Sequence, residues 1–271
     1  MRTARPTYPW GPKAALTGVA MFIVVFVFAT GAVTTYQVVK DTRASDIGDI
    51  FERAARTAEY ADQRLAAATM GDELPDPPGL QADQRTLQLV LAMTLVTQAL
   101  TLGIVGISTR LTFTELRREL GLGRYNIAGA WRPAAAVFCA YTMVVAYSIV
   151  ADAIGIDLLK PESTVPFEIA RDDLTLSIAA AVTLVGAPFS EELLFRGLIF
   201  GGFLKWGFWP AAVLSSFMFT LVHLDPGSFI PFALVGMVIA WLFWSRGSLW
   251  DSVIFHFLFN ATSFAFLVWG T

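Results

Sequence analysis

Apolar residues run along this chain in long unbroken blocks. Residues 14–39 contain no charged side chain over 26 positions, 86–109 none over 24, and 133–151 none over 19. The blocks 206–224, 226–245 and 252–271 are equally free of Asp, Glu, Lys and Arg. A seventh block, 174–204, is apolar except for Glu191, Glu192 and Arg196. About 20 apolar residues let a helix cross the hydrocarbon core of a bilayer. Backbone groups in lipid must be satisfied internally, and period-2 alternation is absent, so the blocks read as helices rather than barrel strands. The pattern predicts an all-α, polytopic integral membrane helical bundle with about seven transmembrane helices. The first block is too long for a signal peptide and lacks a convincing small-x-small cleavage site. It is expected to be an uncleaved signal anchor.

The segments between the blocks carry their own patterns. Residues 45–69 are Ala-rich, with Asp49–Arg53 and Glu52–Arg56 at i,i+4 and Ser45 placed to cap, which predicts a surface helix. Glu73–Gln84 is rich in Pro and Asp and reads as a linker. Phe113 to Leu122 predicts a short amphipathic helix ended by Gly121. Two regions follow: 1–173, an N-terminal membrane region with spans 14–39, 86–109 and 133–151 and an external loop 40–85, and 174–271, a core of four spans.

Composition agrees with the pattern. Of 271 residues, 55% are hydrophobic and 15% charged, and the mean hydropathy is +0.59. An ordinary soluble domain is about 25% charged. This balance excludes a disordered chain and argues against a soluble enzyme. A single cysteine, Cys139, excludes an intrachain disulfide framework and a multi-cysteine metal site. A net charge of −3 offers no attraction for nucleic acid. The partners expected are the lipid bilayer, a peptide or protein substrate at the membrane, and a protein partner through loop 40–85.

Basic residues set the expected orientation. Arg2, Arg5 and Lys13 precede the first span, and loop 110–132 carries five arginines against two glutamates. Loop 40–85 holds ten acids and six bases. The expectation is an integral protein of the cell membrane with its N-terminus cytoplasmic and its C-terminus outside.

Three charges then stand where they should not. From 174 onward only seven residues are formally charged, and four of these lie at expected helix ends. The other three are packed into SEELLFRG, inside an apolar helix. Each costs about 2.5–3.5 kcal/mol at mid-bilayer on insertion scales, so they should face a protein interior or a water cavity. Glu192 and Arg196 are i,i+4 and share a face, where they can pair. Glu191 sits about 100° round the helix. A helix-locking ion pair explains Glu192 and Arg196 but not the adjacent glutamate, and a lone carboxylate in a dry site suits general-base chemistry. His223, His256 and Asn260 are the other polar residues of interest. Alone, each has the bland reading of interhelical hydrogen-bond glue. Depth changes the balance: Glu191, His223 and Asn260 each lie about 18–20 Å from the same end of their helices, with His256 about 6 Å below Asn260. Pro188, three residues before Glu191, should kink or break its helix and help to open a cavity.

The same residues carry a resemblance. E-E-x-x-x-R at Glu191, Glu192 and Arg196, F-x-x-x-H at Phe219 and His223, and H-x-x-x-N at His256 and Asn260 resemble the three motifs of the CPBP family. That family includes type II CAAX prenyl endopeptidases and bacterial proteins linked to bacteriocin processing or self-immunity. The likeness covers about 174–265. It implies an intramembrane glutamate-dependent endopeptidase in which Glu191 and His223 activate a water, His256 and Asn260 stabilise the oxyanion, and Glu192 and Arg196 hold the site together. It implies no cofactor.

Three other readings stay open on the residues alone. Glu191, His223 and His256 would make a two-His, one-carboxylate zinc set, although H-E-x-x-H is absent. The cluster could serve a non-catalytic scaffold or immunity protein. Intramembrane carboxylates and histidines also build proton relays in transporters, but no internal repeat is evident.

Overall fold

The computed structural model describes residues 7–40, 84–123, 125, 127–159, 169, 172–223 and 225–269, with isolated positions between 59 and 70. The surface helix expected over 45–69 and the linker after it lie outside the described residues apart from those positions.

Eight helices organise the described chain: α1 (Pro12–Lys40), α2 (Gln84–Thr109), α3 (Phe113–Glu119), α4 (Trp131–Ile154), α5 (Asp173–Trp206), α6 (Phe208–Leu221), α7 (Phe229–Arg246) and α8 (Leu249–Trp269). Among the described residues there is no strand. The protein is an all-α polytopic membrane bundle, with six helices among the described residues long and apolar enough to cross a membrane. The seventh expected span, 206–224, is a shorter apolar helix of 14 residues. It starts only at Phe208 because Gly207, at φ 104°, breaks the chain direction after α5. At its far end Asp225 accepts from the N–H groups of Gly227 and Ser228 and closes a turn. About 1.5 Å per residue makes α6 roughly 21 Å long.

Large apolar side chains such as Phe28, Phe138, Ile149 and Phe266 are exposed, as the outer surface of a bundle solvated by lipid requires. The core gathers Leu193, Leu194, Phe195, Leu198, Ile199 and Phe200 from α5 against α6, α7 and the start of α8. The N-terminal segment closes over it: Trp10 Nε1 donates to Leu198 O at 3.3 Å, and the Tyr8 ring stacks on Phe243 at 5.7 Å. Gly201 and Gly202 make room, since a Cβ on Gly202 would stand 2.9 Å from Ala15 Cβ.

Loop 110–132 is part of this packing. Thr112 and Glu115 form a capping box on α3, and Gly121 turns the chain at φ 66°. Leu120 O then accepts from Leu249 N at 2.9 Å, Gly121 O from Ser248 Oγ at 3.2 Å, and Leu122 O from Trp250 Nε1 at 2.9 Å. The first turn of α8 is therefore buried on this loop; Leu120, Leu249 and Asp251 are fully covered.

Pro188 does not end α5. The turn before it widens: over Ala181–Gly186 the hydrogen bonds run from i to i−5, and Ala187 N–H reaches Val182 O. A second widened stretch covers Leu193–Phe200. Short π segments of this kind are rare and concentrate at functional sites. The proline ring clashes with the carbonyl four residues back and offers no N–H, and widening relieves that clash without breaking the helix.

Candidate active site

Glu191 and Glu192 end the straight turn Ala187–Glu192 that lies between the two widened stretches of α5. Arg196 Nη1 donates to Glu192 Oε1 at 3.1 Å, and both side chains are fully buried. The i,i+4 pair expected from spacing is thus present. Arg196 Nη2 also donates to Gly236 O on α7 at 3.2 Å. Its guanidinium lies 4.5 Å from the Phe219 ring centroid on α6. The cation is held by a carboxylate, a carbonyl and an aromatic face from three helices, which is how a buried charge is tolerated.

His256 on α8 bonds to one glutamate and faces the other. Its Nδ1 lies 2.8 Å from Glu192 Oε1, and its Nε2 lies 3.9 Å from Glu191 Oε2. A carboxylate accepts, so Nδ1–H donates and Nε2 is turned toward Glu191. The two carboxylates differ in surroundings: the Glu192 side chain is 0% exposed and that of Glu191 27%. Among the described residues, Glu191 Oε2 is buried without a hydrogen-bond partner.

His223 lies two residues past the end of α6. Its Nδ1 is 2.8 Å from Phe219 O. A carbonyl only accepts, so Nδ1 carries a proton, and in a neutral ring Nε2 then has the lone pair. His223, His256 and Asn260 line one cavity of about 40 Å³, walled by Phe219, Phe232 and Phe259. That is room for water and not for a peptide. Phe219 stands between the parts: its ring is 4.7 Å from that of His223, 5.9 Å from that of His256 and 5.4 Å from that of Phe195.

Asn260 sits elsewhere than the depth arithmetic puts it. Its Nδ2 donates to Thr183 O at 2.9 Å, eight residues before Glu191. His256, not Asn260, is the α8 residue level with the glutamates. The depth arithmetic assumes a uniform 1.5 Å rise per residue, which the two widened stretches of α5 do not keep.

The three groups of the zinc reading, Glu191, His223 and His256, do not form a cluster spaced to hold a metal among the described residues. Cys139 is exposed and far from this chemistry in sequence. The Gly236 and Thr183 carbonyls are not legible in the sequence, because a backbone acceptor leaves no side-chain signature. Phe219 stands out there only as part of a motif. The i−4 offset from His223 was the available sign that its carbonyl could receive the ring.

The motif residues that build this site fall in a stretch that matches known proteins. Residues 173–262 match the family model described as Type II CAAX prenyl endopeptidase Rce1-like. The chain is also 30% identical over 80 residues to a Bacillus subtilis (strain 168) protein named "Putative membrane peptidase YdiL", a match covering 29% of this chain and 33% of the relative. The chain thus spans about a third of the length of the curated relative it matches. No solved structure matches it significantly. The part of the chain that builds the site, residues 173–262, is thus similar to the Rce1-like type II CAAX prenyl endopeptidases.

Proposed function

We propose that this protein is an intramembrane endopeptidase that hydrolyses a peptide bond of a membrane-associated or membrane-delivered protein. One observation carries the reading. Glu191, the more exposed of the two glutamates, holds a carboxylate oxygen without a hydrogen-bond partner 3.9 Å from a histidine that a second glutamate and an arginine hold in place. A helix-locking ion pair needs Glu192 and Arg196 only. The Rce1-like match and the likeness to a membrane peptidase support the same class of reaction.

In this mechanism Glu191 takes a proton from a water while the His223 Nε2 lone pair orients it. The water oxygen attacks the scissile carbonyl carbon, and the carbonyl electrons move onto oxygen. The N–H of Asn260 not given to Thr183 stabilises that oxyanion, together with His256. As the tetrahedral intermediate collapses, Glu191 returns the proton to the leaving nitrogen and the C–N bond breaks. General acid–base catalysis of this kind contributes about 10²–10⁴-fold, and one oxyanion donor about 10²–10³-fold. Glu192 and Arg196 touch no reacting atom and position His256. The reaction so written needs no cofactor. The orientation that goes with it is an N-terminus in the cytoplasm of a cell-membrane protein, with loop 40–85 outside as a surface for a partner.

The test compares protein N-termini in membranes from cells expressing the wild type or Glu191→Gln at equal levels. New termini found only with the wild type are the expected result. Identical termini, with one phenotype shared by both forms, would overturn the proposal in favour of a scaffold or immunity protein.

A further inference from the structure

The Asn260 amide is held by a carbonyl that a proline has left without its donor. In the widened turn over Ala181–Gly186 the main-chain bonds run from i to i−5, and the turn closes with Ala187 N–H donating to Val182 O. The next bond in that series would run from residue 188 to Thr183 O. Residue 188 is proline and has no N–H. A carbonyl inside a membrane must find another donor, and the half-buried Thr183 O finds Asn260 Nδ2 at 2.9 Å. Neighbouring carbonyls of the same turn also recruit side chains: Val182 O accepts from Gln98 Nε2 at 3.3 Å, and Gly186 O from Ser190 Oγ at 2.7 Å.

The geometry points to Pro188 as a positioning residue for Asn260: by withholding its N–H from Thr183 O, it reserves that carbonyl for the Asn260 amide and so fixes α8 against α5. One amide hydrogen is spent on Thr183, and the planar amide then dictates where the second one points. For catalysis, which rests on the function proposed above, this fixes the direction of the oxyanion donor. The clamp itself does not depend on turnover.

A coupling experiment on the full chain in detergent tests it. The chain has two asparagines, Asn126 and Asn260, so selective ¹⁵N-asparagine labelling gives two side-chain amide pairs. The pair missing from Asn260→Ala belongs to Asn260. In Pro188→Ala a main-chain N–H competes for Thr183 O. The Asn260 pair should then shift and its hydrogen exchange should quicken. Thermal midpoints give a second readout. Asn260→Ala orphans Thr183 O and should lower the midpoint. Adding Pro188→Ala to it should recover most of the loss, whereas Pro188→Ala in the wild type should raise nothing. If Asn260→Ala fails to fold, Asn260→Asp, which has no donor for Thr183, asks the same question. An Asn260 amide pair unmoved by Pro188→Ala, or midpoint shifts that simply add, would overturn the inference. Glu191→Gln is the control: it should leave the Asn260 pair in place, so a protein that proves not to be a peptidase would still report on the clamp.

Discussion

His256 and Glu192 are joined at 2.8 Å through Nδ1 and Oε1, and the same Glu192 oxygen receives Arg196 at 3.1 Å. The ring is thereby fixed with its other nitrogen 3.9 Å from Glu191 Oε2. In the proposed mechanism the two adjacent glutamates have separate tasks: Glu192, fully buried, holds the ring, and Glu191, 27% exposed, is the base. Glu191→Gln keeps shape and hydrogen bonding but removes the base. Cleavage in membranes should fall by about 10²–10⁴-fold, while the thermal midpoint stays within a degree or two of the wild type. Retained cleavage in this variant would sink the assignment.

Arg196→Met removes the cation from a carboxylate that is fully buried. Breaking a buried pair on one side costs about 3–5 kcal/mol. Adding Glu192→Gln should recover a large part of that loss, because the uncompensated charge is then gone. Unfolding of the purified single and double variants in detergent checks the sign. A double variant no more stable than Arg196→Met would show that the cost lies in packing on Phe219 and Gly236.

Gly121→Ala should destabilise the junction between loop 110–132 and α8. The position has φ 66°, and an added Cβ would collide with the Gly247 carbonyl. The left-handed backbone alone costs about 1–2 kcal/mol in a residue with a Cβ. Because α8 carries His256, the expected outcome includes reduced cleavage as well as a lower midpoint. Gly155→Ala, also at positive φ but with nothing near its Cβ, isolates the backbone cost.

Asp172 caps α5 and gives a pH-dependent contribution. Its carboxylate accepts from Thr175 N–H at 2.8 Å and Thr175 Oγ1 at 2.7 Å. The Thr175 backbone bond, ahead of the hydroxyl, holds its pKa below the usual carboxylate value. A depressed folded-state pKa means that stability is present above the unfolded value, about 3.9, and is lost as pH falls through the folded one. The wild type should therefore lose its midpoint advantage over Asp172→Asn as pH drops below about 4. The advantage should be constant above that. Parallel curves for the two proteins down to pH 2 would contradict the cap.

Chelation separates the metal-free mechanism from the zinc reading. Cleavage should persist in purified protein treated with a strong chelator. Loss of activity together with a stoichiometric metal would return Glu191, His223 and His256 to the role of ligands.

Much of the architecture was legible in the chain because lipid imposes a simple rule. Long uncharged blocks must be helices, and the edges of 86–109 and 14–39 differ from Gln84–Thr109 and Pro12–Lys40 by two residues at most. The block 206–224 shows where the rule weakens. Composition does not show that Gly207 and the Asp225 turn leave only 14 helical residues between them. The Glu192–Arg196 pair was legible for a local reason: residues four apart on a helix meet whatever surrounds them.

Relations between helices were not legible. The sequence by itself determined that this is a membrane bundle and that SEELLFRG holds charges needing partners. It also set Glu191, Glu192, Arg196, His223, His256 and Asn260 apart from their apolar surroundings. Only the tertiary structure decided that His256 meets the glutamates while Asn260 meets Thr183. The start of α8 is itself held by hydrogen bonds to the Leu120, Gly121 and Leu122 carbonyls, which no residue pattern announces. Likewise, Pro188 announces a disturbed helix. That it widens α5 and yields a carbonyl to another helix follows from which donor lies opposite. Spacing fixes contacts within one helix, but the offset between two is set by packing and by main-chain acceptors that look the same at every residue.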